Sequence, residues 1–323
     1  MSTWLVTGGA GYIGAHVVRT LLDGGDDVVV LDDLSTGRAE RVPEGATLVK
    51  GDIGDRDVVR RTVREFGVAG IVHIAAKKQV GESVEQPMLY YRDNVVATQV
   101  LLDEAVAAGV GSFVFSSSAA TYGMPDVDLV DEDTPTRPLS PYGTTKLVGE
   151  WMSRDVAEAT GLRVLALRYF NVAGAATPEL SDPATLNLIP LVFRELTSGS
   201  RPKVFGADYP TPDGTCVRDY IDVRDFAEVH AAGLRQLAAD PDGPRFRVYN
   251  VGRGEGSSVL EVLAVIGEVT GFDVTPEIVA RRPGDPARIV GGVGRVRRDL
   301  GWSARYELRE MVESAWAGWQ QRG

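Results

Sequence analysis

At 323 residues the chain can bury a large core, enough for one large or two closely packed domains. A hydrophobic content of 44% with charge of both signs marks a globular chain, and the formal net charge of -11 argues against a nucleic-acid or anionic-membrane surface, which would need concentrated Lys and Arg. The single Cys216 excludes an internal disulfide and fits a reducing, cytoplasmic compartment, while His16, His73 and His230 are too scattered to suggest a metal site.

The run Met1–Val6 leads straight into a glycine motif, so no signal peptide is expected, and no apolar stretch reaches the length of a membrane span. Short apolar runs then alternate with segments of helical character. Trp4–Thr7, Val28–Asp32, Gly70–Ile74, Phe113–Phe115 and Val164–Leu167 read as strands, and Gly11–Leu22, Asp55–Phe66, Met88–Ala108 and Tyr142–Thr160 read as helices. That alternation predicts an α/β fold of the Rossmann type, a doubly wound parallel sheet covered on both faces, with a smaller C-terminal α/β domain for substrate. After Asn171 the pattern changes: Ala173–Pro183 is rich in small residues, Leu188–Ser198 reads as a helix, and Gly206–Gly214 is irregular. The expected division is a nucleotide-binding domain over 1–172 and a smaller substrate domain over 173–216 and 252–323. The segment 217–251 is expected to return to the first domain as a strand at Asp219–Asp222 and a helix at Val223–Leu237.

Thr7–Gly14 follows the first strand and opens the first helix, with Gly8, Gly11 and Gly14 evenly spaced. Such glycines allow a tight turn, close approach of a pyrophosphate to the backbone, and close packing of helix on strand. The helix N-terminus offers free N–H groups and a positive dipole end to the phosphates. Asp32, at the end of the second strand, can accept hydrogen bonds from both ribose hydroxyls and would repel a 2'-phosphate, so NAD is favoured over NADP. Asp52 and Ile53, after the third strand, are placed to meet the adenine. Farther on, Tyr142 and Lys146 stand four residues apart at a helix start, which puts phenol and ammonium on one face. A phenol beside a fixed positive charge exchanges protons more easily. Tyr-x-x-x-Lys alone is common in helices; together with Ser118 and the glycine turn it points to proton transfer at a hydroxyl-bearing carbon.

These residues resemble the extended short-chain dehydrogenase/reductases, and within them the UDP-glucose (UDP-galactose) 4-epimerase family. The resemblance covers nearly the whole chain and runs through Gly81–Ser83, Ser116–Ser118 with Tyr122–Gly123, Ser140–Gly143, Arg168–Asn171, Asp208–Pro210, Asp213–Thr215, Val217–Ile221 and Arg281–Asp285. It implies an isomerase with NAD as a resident cofactor, acting through a transient 4-ketose, with Ser118, Tyr142 and Lys146 catalytic. It extends the expected cofactor contacts to Tyr12, Ile13, Asp33, Leu34, Ser35, Thr36, Gly37, Ile74, Ala75, Ala76, Lys78, Asp93 and Phe170. It places the nucleotide-sugar, a UDP-hexose, against Lys78, Ser118, Tyr142, Asn171, Asn187, Val204, Phe205, Arg218, Arg282, Asp285 and Ile289. Arginine forks suit a diphosphate and an aromatic suits uracil or ribose. It also implies a homodimer built on the helices beginning near Met88 and Tyr142.

Asp93 stands where the family often carries Asn, and Ile289 stands where it varies between a large aromatic and a small side chain. Whether N-acetylated sugars are accepted stays open at that position. A 4,6-dehydratase or a decarboxylating relative would want a carboxylate beside the serine, where this chain has Ala119 and Ala120. A 4-epimerase of uronic-acid sugars needs only a basic pocket, which Lys77 or Lys78 could supply. A binding protein that kept the fold without turnover would not need Ser118, Tyr142 and Lys146.

Overall fold

The computed structural model describes residues 2–282 and 284–321. Its strands in chain order are β1 (Thr3–Thr7), β2 (Asp27–Asp32), β3 (Thr47–Lys50), β4 (Gly70–His73), β5 (Ser112–Ser118), β6 (Arg163–Tyr169), β7 (Asn171–Ala173), β8 (Lys203–Phe205), β9 (Val217–Asp222), β10 (Phe246–Val251), β11 (Gly256–Ser258), β12 (Glu277–Val279) and β13 (Arg288–Ile289). The helices are α1 (Tyr12–Asp23), α2 (Arg56–Glu65), α3 (Val80–Glu85), α4 (Pro87–Tyr90), α5 (Ala97–Ala107), α6 (Pro141–Ala159), α7 (Leu188–Thr197), α8 (Val223–Ala239), α9 (Val259–Thr270), α10 (Gly294–Leu300) and α11 (Leu308–Gln320).

Seven strands make one parallel sheet in the order β10-β6-β5-β4-β1-β2-β3. Leu5 and Val6 are both fully buried although neighbours on a strand point to opposite faces, so helices must cover both sides. They do. Val6, Val30, Val72 and Val114 share one core with α1 and α8, while Leu5, Val29, Ile71 and Phe113 share the other with α2 and α5. The chain runs outward from β1 to β3 and then crosses back to β4 on the other side of β1. That reversal opens a crevice at the C-terminal ends of β1 and β4, the place where doubly wound sheets bind ligands.

The smaller region holds a sheet of β11, β9 and β13 with β7 paired to β9, and a parallel pair of β8 and β12. Ile189, Phe193, Val204, Leu263 and Met311 form its core. The segment 217–251 is divided between the two regions. α8 packs on α1 and β10 joins the large sheet beside β6, but β9, expected in the large sheet, pairs with β7, β11 and β13. Pairing of β9 with β7, directly after β6, keeps it close to the large sheet without joining it. The expected single helix over Met88–Ala108 is also broken: α4 and α5 are joined by a π-helical stretch, Tyr91–Val96. Such stretches collect at functional sites, and this one turns the buried Asn94 inward, where it accepts from Lys77 N at 2.8 Å and donates to Thr145 at 3.1 Å.

Candidate functional site

The glycine turn sits at the crevice. Gly8 has a left-handed backbone (φ 72°), and a Cβ there would come within 2.8 Å of Ala75 N at the end of β4. At Gly14 a Cβ would reach 2.1 Å from the Gly8 carbonyl oxygen, so the turn can close on the helix only with glycine. α1 starts at Gly11 with no side-chain cap, which leaves first-turn N–H groups facing the crevice for an anion. Tyr12 donates its hydroxyl to the Gly174 carbonyl at 2.6 Å and holds the second region against this turn, while Ile13 packs into the core.

Asp32 accepts from Ala10 N at 3.0 Å and from Leu34 N at 2.9 Å, one bond on each carboxylate oxygen. Burial raises its pKa above the usual carboxylate value, and the two backbone donors oppose that. Leu34 has φ 60°, the left-handed region, and Asp33 accepts from the Ser35 amide at 2.8 Å, so the segment Asp33–Gly37 forms a tight collar. A Cβ at Gly37 would strike the Asp32 carboxylate at 2.8 Å. Thr36 is exposed at its rim. Asp52 accepts from Gly54 N at 2.7 Å, while Ile53 turns into the hydrophobic core. Ile74, Ala75 and Ala76 are half-buried at the end of β4. Asp93 is engaged by Arg92 at 2.7 Å and lies 4.0 Å from Lys77. An uncapped helix N-terminus, a glycine cradle and a carboxylate with free lone pairs are the features a dinucleotide of the NAD type requires.

Ser118 ends β5, and Tyr142 and Lys146 lie in the first two turns of α6, which opens with Ser140 capping Gly143 N at 3.2 Å and Pro141 at its first position. All three side chains are buried. The Tyr142 hydroxyl receives hydrogen bonds from Ser118 and Tyr169, which lower its pKa, but burial prevails and leaves it above the ordinary phenol value. Lys146 donates to the Ser116 carbonyl at 2.8 Å, and burial pulls its ammonium down to about 8. The phenol is therefore poised by two hydroxyl donors, where the sequence pointed to the ammonium. Tyr169 was not legible in advance. It lies opposite Ser118 across the β5–β6 pairing, a neighbour that only sheet register reveals, and its ring packs on Phe226 at 4.6 Å.

A cavity of about 740 Å³ shares Tyr12 with the glycine turn and is lined also by Lys78, Asn171, Asn187, Phe205, Arg218 and Asp285. Ser118 and Tyr142 are not part of that wall. Arg218 pairs with Asp285, and Arg282 stacks on the Phe205 ring at 3.7 Å, so three segments far apart in sequence form one basic and aromatic face. Asn187 donates to Asp182 at 2.8 Å. Lys78 is exposed at the mouth. Val204 does not join them: its side chain is buried in the core of the smaller region, because strand alternation turns it away from the face that Phe205 occupies, leaving only its backbone to meet a ligand. Ile289 and Phe170 pack together with Ala119 and Tyr122 next to Ser118. Asn94, which ties the Lys77 backbone to α6, has no place in the sequence-derived set.

A doubly wound parallel sheet with a glycine-cradled crevice at its switch point and a Ser/Tyr/Lys group beside it defines an extended short-chain dehydrogenase/reductase. Residues 4–252 match the NAD dependent epimerase/dehydratase family, and the chain belongs to that family. It is 45% identical over 317 residues to a UDP-glucose 4-epimerase of Corynebacterium glutamicum, an alignment covering 97% of this chain and 94% of that protein. Among solved structures it is similar to a UDP-glucose 4-epimerase from Stenotrophomonas maltophila with bound NAD and formylated UDP-arabinopyranose (TM-score 0.95, 37% identity, covering 100% of this chain and 99% of that one). It is also similar to the Bifidobacterium longum enzyme in complex with NAD+ and UDP (TM-score 0.92, 37% identity, covering 99% and 98%).

Proposed function

We propose that this chain is an NAD-dependent 4-epimerase that interconverts UDP-glucose and UDP-galactose through a transient 4-ketose. The observation that carries the reading is the convergence of Ser118, Tyr142 and Lys146 beside the glycine-cradled crevice, with a basic and aromatic cavity that shares Tyr12 with the glycine turn. The family's NAD dependence and the relatives' names support it. Held by the glycine turn and Asp32, NAD would supply a reversible hydride acceptor for sugar C4, with return to the opposite face inverting that carbon. The protein supplies the rest. Tyr142 removes the proton from the 4-hydroxyl and later returns it, with Ser118 and Tyr169 steadying the phenolate oxygen. Lys146 provides a positive charge below the phenol. Arg218 and Arg282 grip the diphosphate from one side while Phe205 lies against uracil or ribose, which holds the nucleotide firmly and leaves the hexose free to turn.

Asp32 selects the unphosphorylated ribose of NAD. Gly8 to Gly14 cradle its pyrophosphate, with Asp33–Gly37, Asp52, Ala75, Ala76, Asp93 and Phe170 completing its surroundings. We place the division between domains near residue 172, with α8 and β10 serving the first. The protein acts as a cytoplasmic homodimer. Met88 and Trp151 are exposed apolar side chains on α4 and α6, the helices expected to meet a second copy. Among the described residues no helix is long and apolar enough to cross a membrane. Purified protein given UDP-galactose is expected to yield UDP-glucose, read by chromatography. Folded protein that binds NAD and produces no C4-inverted sugar would defeat the proposal, and a monomer on sizing would defeat the dimer.

A further inference from the structure

Three consecutive serines at the end of β5 meet three residues of α6. The Ser116 carbonyl accepts from Lys146, the Ser117 hydroxyl donates to Glu150, and the Ser118 hydroxyl bonds to Tyr142. Tyr142, Lys146 and Glu150 recur every four residues and so share one helix face. Glu150 is 3% exposed, yet it carries a two-pronged bond to the equally buried Arg168 of β6, with Nε at 2.8 Å and Nη2 at 2.6 Å. The remaining nitrogen of the guanidinium, Nη1, donates to the Tyr122 hydroxyl at 2.9 Å, which in turn donates to Asn250 of β10 at 2.7 Å.

Packing alone does not account for this pair. Removing two charges from water is costly, and apolar residues of the same volume would hold helix to sheet at least as well. What distinguishes the position is the neighbour one helical turn away. Around the Lys146 ammonium stand Tyr142 and Glu150 on its own helix, the Ser116 carbonyl and the Phe115 ring of β5, the ring at 5.2 Å, and His73 of β4. Burial and Lys146 hold His73 down to about 3, so it stays neutral in the working range. Arg168 touches Glu150, and His230 of α8 touches the Ser116 hydroxyl; burial holds His230 to about 4, so it too stays neutral. Asn94 reaches the same helix at Thr145 as a neutral group. Glu150 is thus the acidic side chain that faces Lys146.

We propose that the Glu150–Arg168 pair is a positioning element for Lys146: the carboxylate keeps the ammonium protonated beside Tyr142, and its bond to Ser117 fixes that helix face to the strand bearing Ser118. This rests on the epimerase reading only for its effect on turnover; its effect on Lys146 is independent of that reading. Burial draws Lys146 down to about 8 and Glu150 opposes the fall. A base needed in its charged form serves fully below its pKa and fails as pH rises through it. Deleting the carboxylate lowers that pKa further, so the alkaline limb of activity moves toward neutral pH.

The test uses the full chain labelled with [13Cε]lysine, the Lys146 signal being assigned with Lys146→Met, together with pH profiles of kcat for C4 inversion. Wild type is expected to titrate near 8, and Glu150→Gln about one pH unit lower with the alkaline limb following it. Ser117→Ala keeps both charges and is expected to leave the midpoint in place. If Glu150→Gln does not fold, Glu150→Gln/Arg168→Gln removes both charges at once and is expected to show a downward shift of the same sign but smaller, because losing the guanidinium partly offsets losing the carboxylate that lies one helical turn from Lys146. A Lys146 midpoint unmoved in the folded variant, or a fall in kcat equal at every pH, overturns the proposal. A wild-type protein whose Lys146 titrates as stated but which inverts no sugar leaves the positioning intact and defeats the epimerase reading.

Discussion

The cofactor side and the nucleotide-sugar side of this crevice are built by opposite means. On the first, the proposed cradle, dipole and ribose acceptor come from one contiguous run, Thr7 to Gly14, and the nearby Asp32, largely through backbone, at the ends of strands buried on both faces. On the second, residues from Lys78 to Asp285 meet on short strands and loops, and they hold each other by side-chain pairs such as Arg218 with Asp285 and Arg282 on Phe205. A backbone site tolerates side-chain change except where a Cβ collides, whereas a side-chain site loses affinity piece by piece. The Ser/Tyr/Lys group stands between the two and depends on both.

The sharpest way to separate these contributions is Tyr142→Phe, which removes the acid/base group from between the two halves. Turnover is expected to fall by about 10²- to 10⁴-fold while NAD and UDP-sugar binding survive. A variant retaining turnover would assign the chemistry elsewhere. Next comes the cofactor half. Gly14→Ala sets a Cβ 2.1 Å from the Gly8 carbonyl oxygen, so the turn must open; overpacking of about 1–3 kcal/mol corresponds to roughly 5- to 150-fold weaker NAD retention, measurable as cofactor content after gel filtration. Undiminished NAD would mean that the cradle is softer than its contacts indicate.

The substrate half is expected to respond more gradually. Arg218→Lys keeps the charge but loses the planar fork, and KM for the UDP-sugar is expected to rise about tenfold with kcat little changed. A fall in kcat with KM unchanged would move Arg218 from nucleotide anchoring to chemistry. The smallest effect on catalysis is expected at Val204→Ala. That side chain is 1% exposed within the smaller core, so its loss should destabilise the fold by about 1–3 kcal/mol in a denaturant titration and leave KM where it was. A changed KM at unchanged stability would put Val204 at the ligand after all.

The alternation of apolar runs and glycine punctuation was enough to read the doubly wound sheet, because strands buried on both faces must be continuously apolar. The glycine turn, Asp32 and the Tyr142/Lys146 spacing were legible for a similar reason: each places its chemistry within one local element. Membership of β9 in the smaller sheet was not legible, since its apolar run suits either sheet and the choice falls to pairing with β7, β11 and β13. The break of the Met88–Ala108 helix at Tyr91–Val96 was likewise hidden, because no Pro or Gly marks it and Asn94 gains its partners only from a distant loop and α6.

By itself, then, the order of residues determined where the glycine turn lies, which carboxylate ends the second strand, and which phenol and ammonium share a helix face, because these follow from covalent neighbours and helical or strand period. Tertiary structure alone decided that Ser118 and Tyr169 bond the Tyr142 hydroxyl, that Glu150 and Arg168 stand behind Lys146, and that Val204 is spent on the core. Those outcomes depend on sheet register and long-range burial, which are set by the free energy of the whole packed chain rather than by any segment of it.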